Sequence, residues 1–154
     1  MSIKLLVMDV DGTLTDGQVY IGEQGEIMKA FDVKDGYGIL QCEKLGIEPV
    51  IITGRNSLIL EHRAKELGIT ELYQGVKSHK IDKLREIAKQ FNCTANEIAY
   101  IGDDENDLEC IQYCGTSGCP SDAVDKVKKH VTYVCNRSGG HGAVREFIET
   151  FVQW

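Results

Sequence analysis

No stretch of this sequence stays apolar for long: residues 5–8 and 50–52, among its longest apolar runs, are far too short to cross a bilayer. Nor does the N-terminus read as a secretory leader, since four apolar residues after Lys4 lead straight into Asp9 with no small-residue cleavage site behind them. The expectation is a cytoplasmic protein with no membrane partner. Proline occurs only twice and low-complexity runs not at all, so nothing points to a disordered tail. Excess positive charge is absent too. The 17 Lys and Arg stand against 24 Asp and Glu, and a formal net charge of -7 argues against general binding of nucleic acid or acidic membrane. The six cysteines, at positions 42, 93, 110, 114, 119 and 135, include no C-x-x-C pair. Cys110 and Cys114 could share a helix face but lack the paired histidines of a zinc site, so free thiols are expected. What is there is 154 residues, 42% hydrophobic and 27% charged, enough for one domain over 1–154 with a full core. A net-acidic protein that acts on an anion must gather positive charge locally, through a metal, a few Lys or Arg, or helix N-termini.

Strand and helix patterns alternate along the chain. Residues 3–8 form a continuous apolar run that ends in acids, as in a strand buried on both faces of a parallel sheet. Residues 18–21 and 26–31 flank Gly22-Glu-Gln-Gly25, which reads as a β-hairpin with a four-residue loop. Asp35 is expected to cap a helix that runs to about Leu45, with Gly46 at its end. Further strands are expected at 49–53, 71–73, 98–101, 115–118 and 130–135. Helices are expected from Ser57 to about Gly68, along Ile81, Leu84, Ile87, Ala88 and Phe91, and over 106–113, 122–129 and 142–153. The order predicts a Rossmann-like α/β parallel sheet with helices on both faces and a hairpin inserted after the first strand. In such sheets ligands sit at the carboxyl ends of the strands.

Four of those ends carry chemistry. The first is Asp9-Val10-Asp11-Gly12-Thr13-Leu14-Thr15, where Gly12 permits the turn that would bring both carboxylates to one pocket. One carboxylate could then attack phosphorus while the other moves the proton; the bland alternative is a solvated Asp-rich turn. The second is Thr53-Gly54-Arg55, a hydroxyl that could equally be a helix cap, followed by a planar fork suited to carboxylate or phosphate. The third is Lys80, with Lys77 and His79 beside it, at a helix N-terminus. A cation there opposes the helix dipole, but an anion about 4 Å away would attract it by roughly 4 kcal/mol at an effective dielectric of ~20, more than the dipole costs. The fourth is Gly102-Asp103-Asp104-Glu105-Asn106-Asp107, a run of acids that repel one another unless a hard divalent cation holds them or they merely decorate a helix start.

The D-x-D-G-T-L-T string resembles the nucleophile motif of the haloacid dehalogenase superfamily of phosphotransferases, and the other three ends follow in that family's order. The resemblance implies a magnesium-dependent phosphatase that works through an aspartyl-phosphate. Asp9 would be the nucleophile and Asp11 the proton donor and later the base. Thr53 and Lys80 would steady the transferring group, Lys80 being chosen because its distance from Gly102 fits the family spacing. Asp9, Asp103 and the Asp11 carbonyl would hold magnesium, with Asp104 and Asp107 supporting them from behind.

Further stretches are similar to the capless 3-deoxy-D-manno-octulosonate 8-phosphate phosphatases: Phe31-Asp-Val-Lys-Asp-Gly-Tyr-Gly-Ile39, Arg63-Ala-Lys-Glu-Leu-Gly-Ile69, Tyr73-Gln-Gly75 and Gly139-Gly-His-Gly-Ala-Val-Arg-Glu146. That likeness implies no cap domain, a homotetramer whose hairpins pair into a barrel, and a pocket lined by Lys34, Asp35, Gly36 and Gly54, with Arg55 and Arg63 for the sugar carboxylate or phosphate. Family members often carry a C-terminal extension that reaches a partner's site. With Trp154 following so soon after this stretch, no tail is expected to assist product release. The related nonulosonate 9-phosphate phosphatases tend to have an acid where this chain has Arg55, which favours the octulosonate substrate. Residues 131–142 also resemble the phosphatase-like domain of vertebrate CMP-sialic acid synthetases, which keeps the nonulosonate alternative open. Two other classes are weighed: a non-catalytic oligomerisation module of the same fold, which would lack some of the four groups, and a phosphoacceptor signalling domain, which would not need Asp11.

Overall fold

The computed structural model describes residues 2–152. Six strands form one parallel sheet: β1 (Leu5–Met8), β4 (Glu48–Ile52), β5 (Glu71–Tyr73), β6 (Ile98–Ile101), β7 (Thr116–Cys119) and β8 (Tyr133–Val134). Their order is β5-β4-β1-β6-β7-β8, with β1 at the centre between β4 and β6. Strand periodicity sorts the core into two layers. Leu6, Met8, Ile51, Ala99 and Ile101 face one side, where they meet Ile39 and Cys42 of α1 (Val33–Lys44), Leu60 and Ala64 of α2 (Leu58–Glu66), and Val144, Phe147 and Ile148 of α6 (Ala143–Phe151). Leu5, Val7, Val50, Ile52, Ile98 and Tyr100 face the other. There they meet Ile81, Leu84, Ile87 and Ala88 of α3 (Lys80–Gln90), Cys110 and Ile111 of α4 (Leu108–Tyr113), and Val127 of α5 (Asp125–Lys128). A sheet buried on both faces needs strands without polar alternation, and that is how these strands read.

Between β1 and α1 the chain makes only the hairpin of β2 (Tyr20–Gly22) and β3 (Gly25–Met28), so no cap domain is inserted there. Gly22 pairs with Gly25, which leaves Glu23 and Gln24 as a two-residue loop instead of the four expected. Gly25, at φ 109°, takes the left-handed backbone that so tight a turn demands. The α1 cap also differs from expectation. Asp32, extended at φ -87° and ψ 130°, accepts the amides of Lys34 and Asp35, and Asp35 itself points inward to accept the Arg145 amide at 2.9 Å, capping α6 across the core.

The C-terminal elements are shorter than their patterns. Before β8, Thr132 and Ser117 exchange side-chain bonds with each other's backbone (3.0, 3.1 and 2.6 Å), which replaces the main-chain ladder and delays β8 to Tyr133. The helix expected from 122 is only α5, and that expected from 106 begins as a 3-10 turn at Glu105–Asp107. The predicted end of the last helix at Gln153 lies outside the described residues. All six cysteines are free, five of them buried.

Candidate active site

The loop after β1 is wound on a single acceptor. The amides of Thr13, Leu14 and Thr15 all reach the Val10 carbonyl (3.0, 2.9 and 3.1 Å), while the Thr15 hydroxyl accepts from the Gly12 and Gly17 amides. Asp9 stays in line with the sheet, its amide donating to the Ile101 carbonyl at 3.1 Å. Gly12 has φ +89°, and a Cβ there would lie 2.0 Å from Asp103 Oδ2. Glycine therefore both permits the turn and lets the first and fourth strand ends touch. Gly139 and Gly140 back this loop from behind. A Cβ on Gly139 would sit 2.0 Å from the Gly12 carbonyl oxygen, and the Gly140 amide donates to the Thr13 carbonyl at 3.1 Å.

Lys80 opens α3 immediately after His79, whose φ of 56° turns the chain sharply into the helix. Its ammonium is fully buried and lies 3.0 Å from Asp9 Oδ1 and 2.9 Å from Asp107 Oδ1. Asp107 also accepts the Tyr100 hydroxyl on Oδ1 at 2.5 Å and the amides of Asp103 and Asp104 on Oδ2 at 3.0 and 3.2 Å. Both oxygens of Asp107 are thus occupied by protein donors. It braces Lys80 and the Asp103 loop, whereas the Asp103 carboxyl accepts the Thr13 hydroxyl at 3.3 Å. Burial, reinforced by the charge of Asp107, pushes the Asp9 carboxyl up to about 6 even though Lys80 pulls it down. Burial and the Asp9 charge push Asp103 further, to about 9. Burial alone would lower Lys80, but Asp9 and Asp107 outweigh it and hold the ammonium above its ordinary range. One carboxylate oxygen from each of Asp9, Asp103 and Asp107 lies within 4.8 Å of the others. Crowded, desolvated carboxyls of this kind are what a hard cation stabilises.

Above this cluster opens a cavity of about 180 Å³ lined by Asp9, Asp11, Thr53, Gly54, Arg55, Asp103, Asp104 and Asn106. Asp104 faces it while capping the 3-10 turn through the Glu105 amide. The Asp11 carboxylate is not in the acidic cluster: its Oδ1 accepts from Lys29 at 2.6 Å. The expected residues thus fall into two groups. Asp9, Asp11, Thr53, Gly54, Arg55, Asp103 and Asp104 meet around one cavity, with Lys80 and Asp107 buried beneath it. Lys34, Asp35, Gly36 and Arg63 do not join them within one chain. Asp35 is spent on capping α6, and Arg63 stacks over Phe31 and against Gly36 in a separate small apolar cavity. Lys34 lies on the surface beside Arg137 and Arg145. Three contributors escaped sequence reasoning. Lys29 follows an exposed hairpin, Tyr100 reads as an ordinary strand residue, and the contact of Gly139 with Gly12 joins segments far apart in the chain.

The haloacid dehalogenase-like hydrolase family matches residues 73–148. A 3-deoxy-D-manno-octulosonate 8-phosphate phosphatase from Yersinia pestis is 45% identical over 148 residues, covering 96% of this chain and 79% of that protein. The crystal structure of the 3-deoxy-D-manno-octulosonate 8-phosphate phosphatase from Yersinia pestis superposes with a TM-score of 0.94 at 43% identity, covering 97% of this chain and 80% of the other. The Moraxella catarrhalis 3-deoxy-D-manno-octulosonate 8-phosphate phosphatase, crystallised in complex with a magnesium ion, a phosphate ion and KDO, gives a TM-score of 0.93 at 39% identity, covering 97% of this chain and 86% of the other.

Proposed function

This chain belongs to the haloacid dehalogenase-like hydrolases, with 3-deoxy-D-manno-octulosonate 8-phosphate phosphatases among its relatives, and from that premise we propose that it hydrolyses 3-deoxy-D-manno-octulosonate 8-phosphate to the free sugar acid and phosphate. The observation that carries the reading is a buried cation, Lys80, held 3.0 Å from Asp9 at the floor of a cavity that Asp11 also lines. Only a carboxylate with a use for positive charge beside it repays burial at such a place.

Magnesium fits the donor set. Asp9 and Asp103 crowd their carboxyls together at the ends of adjacent strands, and their mutual repulsion calls for a cation. Asp9, Asp103 and the Asp11 main-chain carbonyl would hold the ion. When bound, it supplies the charge that lets an anionic nucleophile approach a phosphate dianion. The remaining work falls to the chain. Asp9 attacks phosphorus, and the bond to the sugar oxygen breaks as Asp11 hands that oxygen a proton, leaving an acyl phosphate on Asp9. Asp11 then takes a proton from water, whose oxygen attacks the same phosphorus and frees Asp9. Lys80 holds Asp9 in register through both steps, and Thr53 would donate to a phosphoryl oxygen.

Arg55, at the rim of the cavity, is assigned to the sugar-acid carboxylate, and because the nonulosonate 9-phosphate phosphatases tend to carry an acid at this position, its presence favours the octulosonate. Because the hairpin exposes Ile21, Ile27 and Met28, a homotetramer built through the hairpins is part of the same proposal. A cytoplasmic location is part of the same proposal. The test is turnover of both keto-acid phosphates with magnesium and with a chelator, for the wild type and for Asp9→Asn. The octulosonate ester should be preferred, chelation should abolish turnover, and the substitution should lower it by more than ~10³-fold. Near wild-type rates in Asp9→Asn would remove Asp9 as nucleophile.

A further inference from the structure

The hairpin is inside out. Its apolar residues Ile21 and Ile27 are 66% and 63% exposed, whereas the Lys29 side chain, just past β3, is only 3% exposed. A buried lysine gives up the hydration of its ammonium, and only charged or polar partners offset that loss. Here the partners are two carboxylates: Lys29 Nζ lies 2.6 Å from Asp11 Oδ1 and 3.1 Å from Glu26 Oε2. Glu26 is itself fixed from the body of the protein, accepting the Ser57 hydroxyl at the α2 N-terminus at 2.5 Å and lying 3.9 Å from Arg55. One ammonium therefore joins the hairpin to the residue assigned to proton transfer, and a second carboxylate keeps that ammonium from moving.

We propose that Lys29 is a positioning residue for the proton-transfer step. A carboxyl oxygen that accepts from an ammonium at 2.6 Å is held as an acceptor. With Oδ1 so engaged, the proton that Asp11 delivers to the sugar oxygen, and later takes from water, travels on Oδ2. Lys29 does not touch the phosphate in this scheme; it acts by fixing the rotamer of Asp11 and thereby which oxygen faces the reaction. The pair also gives the exposed hairpin a direct line to the chemistry, because any displacement of β3 displaces Lys29.

This inference rests on Asp11 being the general acid and base, and its test separates the two claims. Lys29→Met and Lys29→Arg are compared with the wild type on the sugar phosphate and on 4-nitrophenyl phosphate, whose phenolate leaves without needing a proton. General acid catalysis is worth ~10²–10⁴-fold, so a disoriented acid should lower kcat/KM for the sugar phosphate by about 10–100-fold. The same change should move kcat/KM for the aryl ester by less than about threefold, since that reaction draws little on the acid. Lys29→Arg should recover most of the loss, and Lys29→Met should add nothing in an Asp11→Asn background. Equal losses on both esters, or losses that add to those of Asp11→Asn, would overturn the inference and leave Lys29 a structural clamp. A wild type that hydrolyses neither ester would instead overturn the phosphatase reading beneath it.

Discussion

Replacing Lys80 by methionine keeps most of the side-chain volume and removes the charge together with its two N–H contacts, so the consequence can be worked from the distances. At about 3 Å and an effective dielectric of ~20, each of its two carboxylate contacts is worth roughly 5 kcal/mol of Coulomb energy, about 10 kcal/mol together. Several kcal/mol of that are consumed in desolvating the ammonium, and what stays behind after the substitution is two unbalanced buried carboxylates. The expected net loss is about 3–5 kcal/mol at pH 7 in the presence of a chelator. It should shrink at pH 5. Even beside Lys80 the Asp9 carboxyl is raised to about 6, so at pH 5 it is largely protonated in both proteins and leaves Lys80 less charge to balance. Urea unfolding of both proteins at the two pH values, at one fixed protomer concentration, reads the difference directly. Magnesium should restore part of the lost stability but not the turnover, which should stay down by about 10²–10³-fold. A loss under ~1 kcal/mol at pH 7, or one of the same size at both pH values, would mean that Asp9, Lys80 and Asp107 are not a charge-balanced unit.

Asp35 provides a pH test away from the site. Burial raises its carboxyl from 3.8 to about 6, so the folded state favours the protonated form and stability from this group falls as pH rises from about 4 through about 6. Asp35→Asn keeps an acceptor for the Arg145 amide and should match the wild type near pH 4 while exceeding it by about 1–3 kcal/mol at pH 8; equal losses at both pH values would contradict this. Gly139→Ala drives a Cβ into the Gly12 carbonyl, so both unfolding stability and kcat should fall, the latter by about 10²-fold if the nucleophile loop shifts by an ångström. Arg55→Ala should raise KM for the keto-acid phosphate about 10-fold or more and leave an aryl phosphate nearly unchanged; equal effects would remove Arg55 from sugar recognition.

The layers of the fold were legible because a sheet covered on both faces writes its strands as unbroken apolar runs, and Leu5–Met8 and Ile98–Ile101 do so. Strand ends were legible for the same reason: polarity returns abruptly at Asp9, Thr53 and Gly102. What could not be read was which polar side chain answers which distant backbone. Asp32 and Asp35 are equally good caps in one dimension; only the packing of α1 on α6 decides that Asp35 turns inward to Arg145. Thr132 and Ser117 look like strand residues until their hydroxyls replace the ladder. Lys29 has no local pattern to mark it, because its meaning comes from Asp11, which the hairpin reaches only by folding back.

The most direct test of the account is to catch phosphate on Asp9. Turnover of the sugar phosphate with magnesium would be quenched in acid, the acyl phosphate reduced with borohydride, and the peptide spanning the first strand end read by mass spectrometry. The account predicts homoserine at position 9 in the wild type and none in Asp9→Asn. Continued turnover with no reducible ester at Asp9, or with the ester on Asp11 or Asp103, would contradict it.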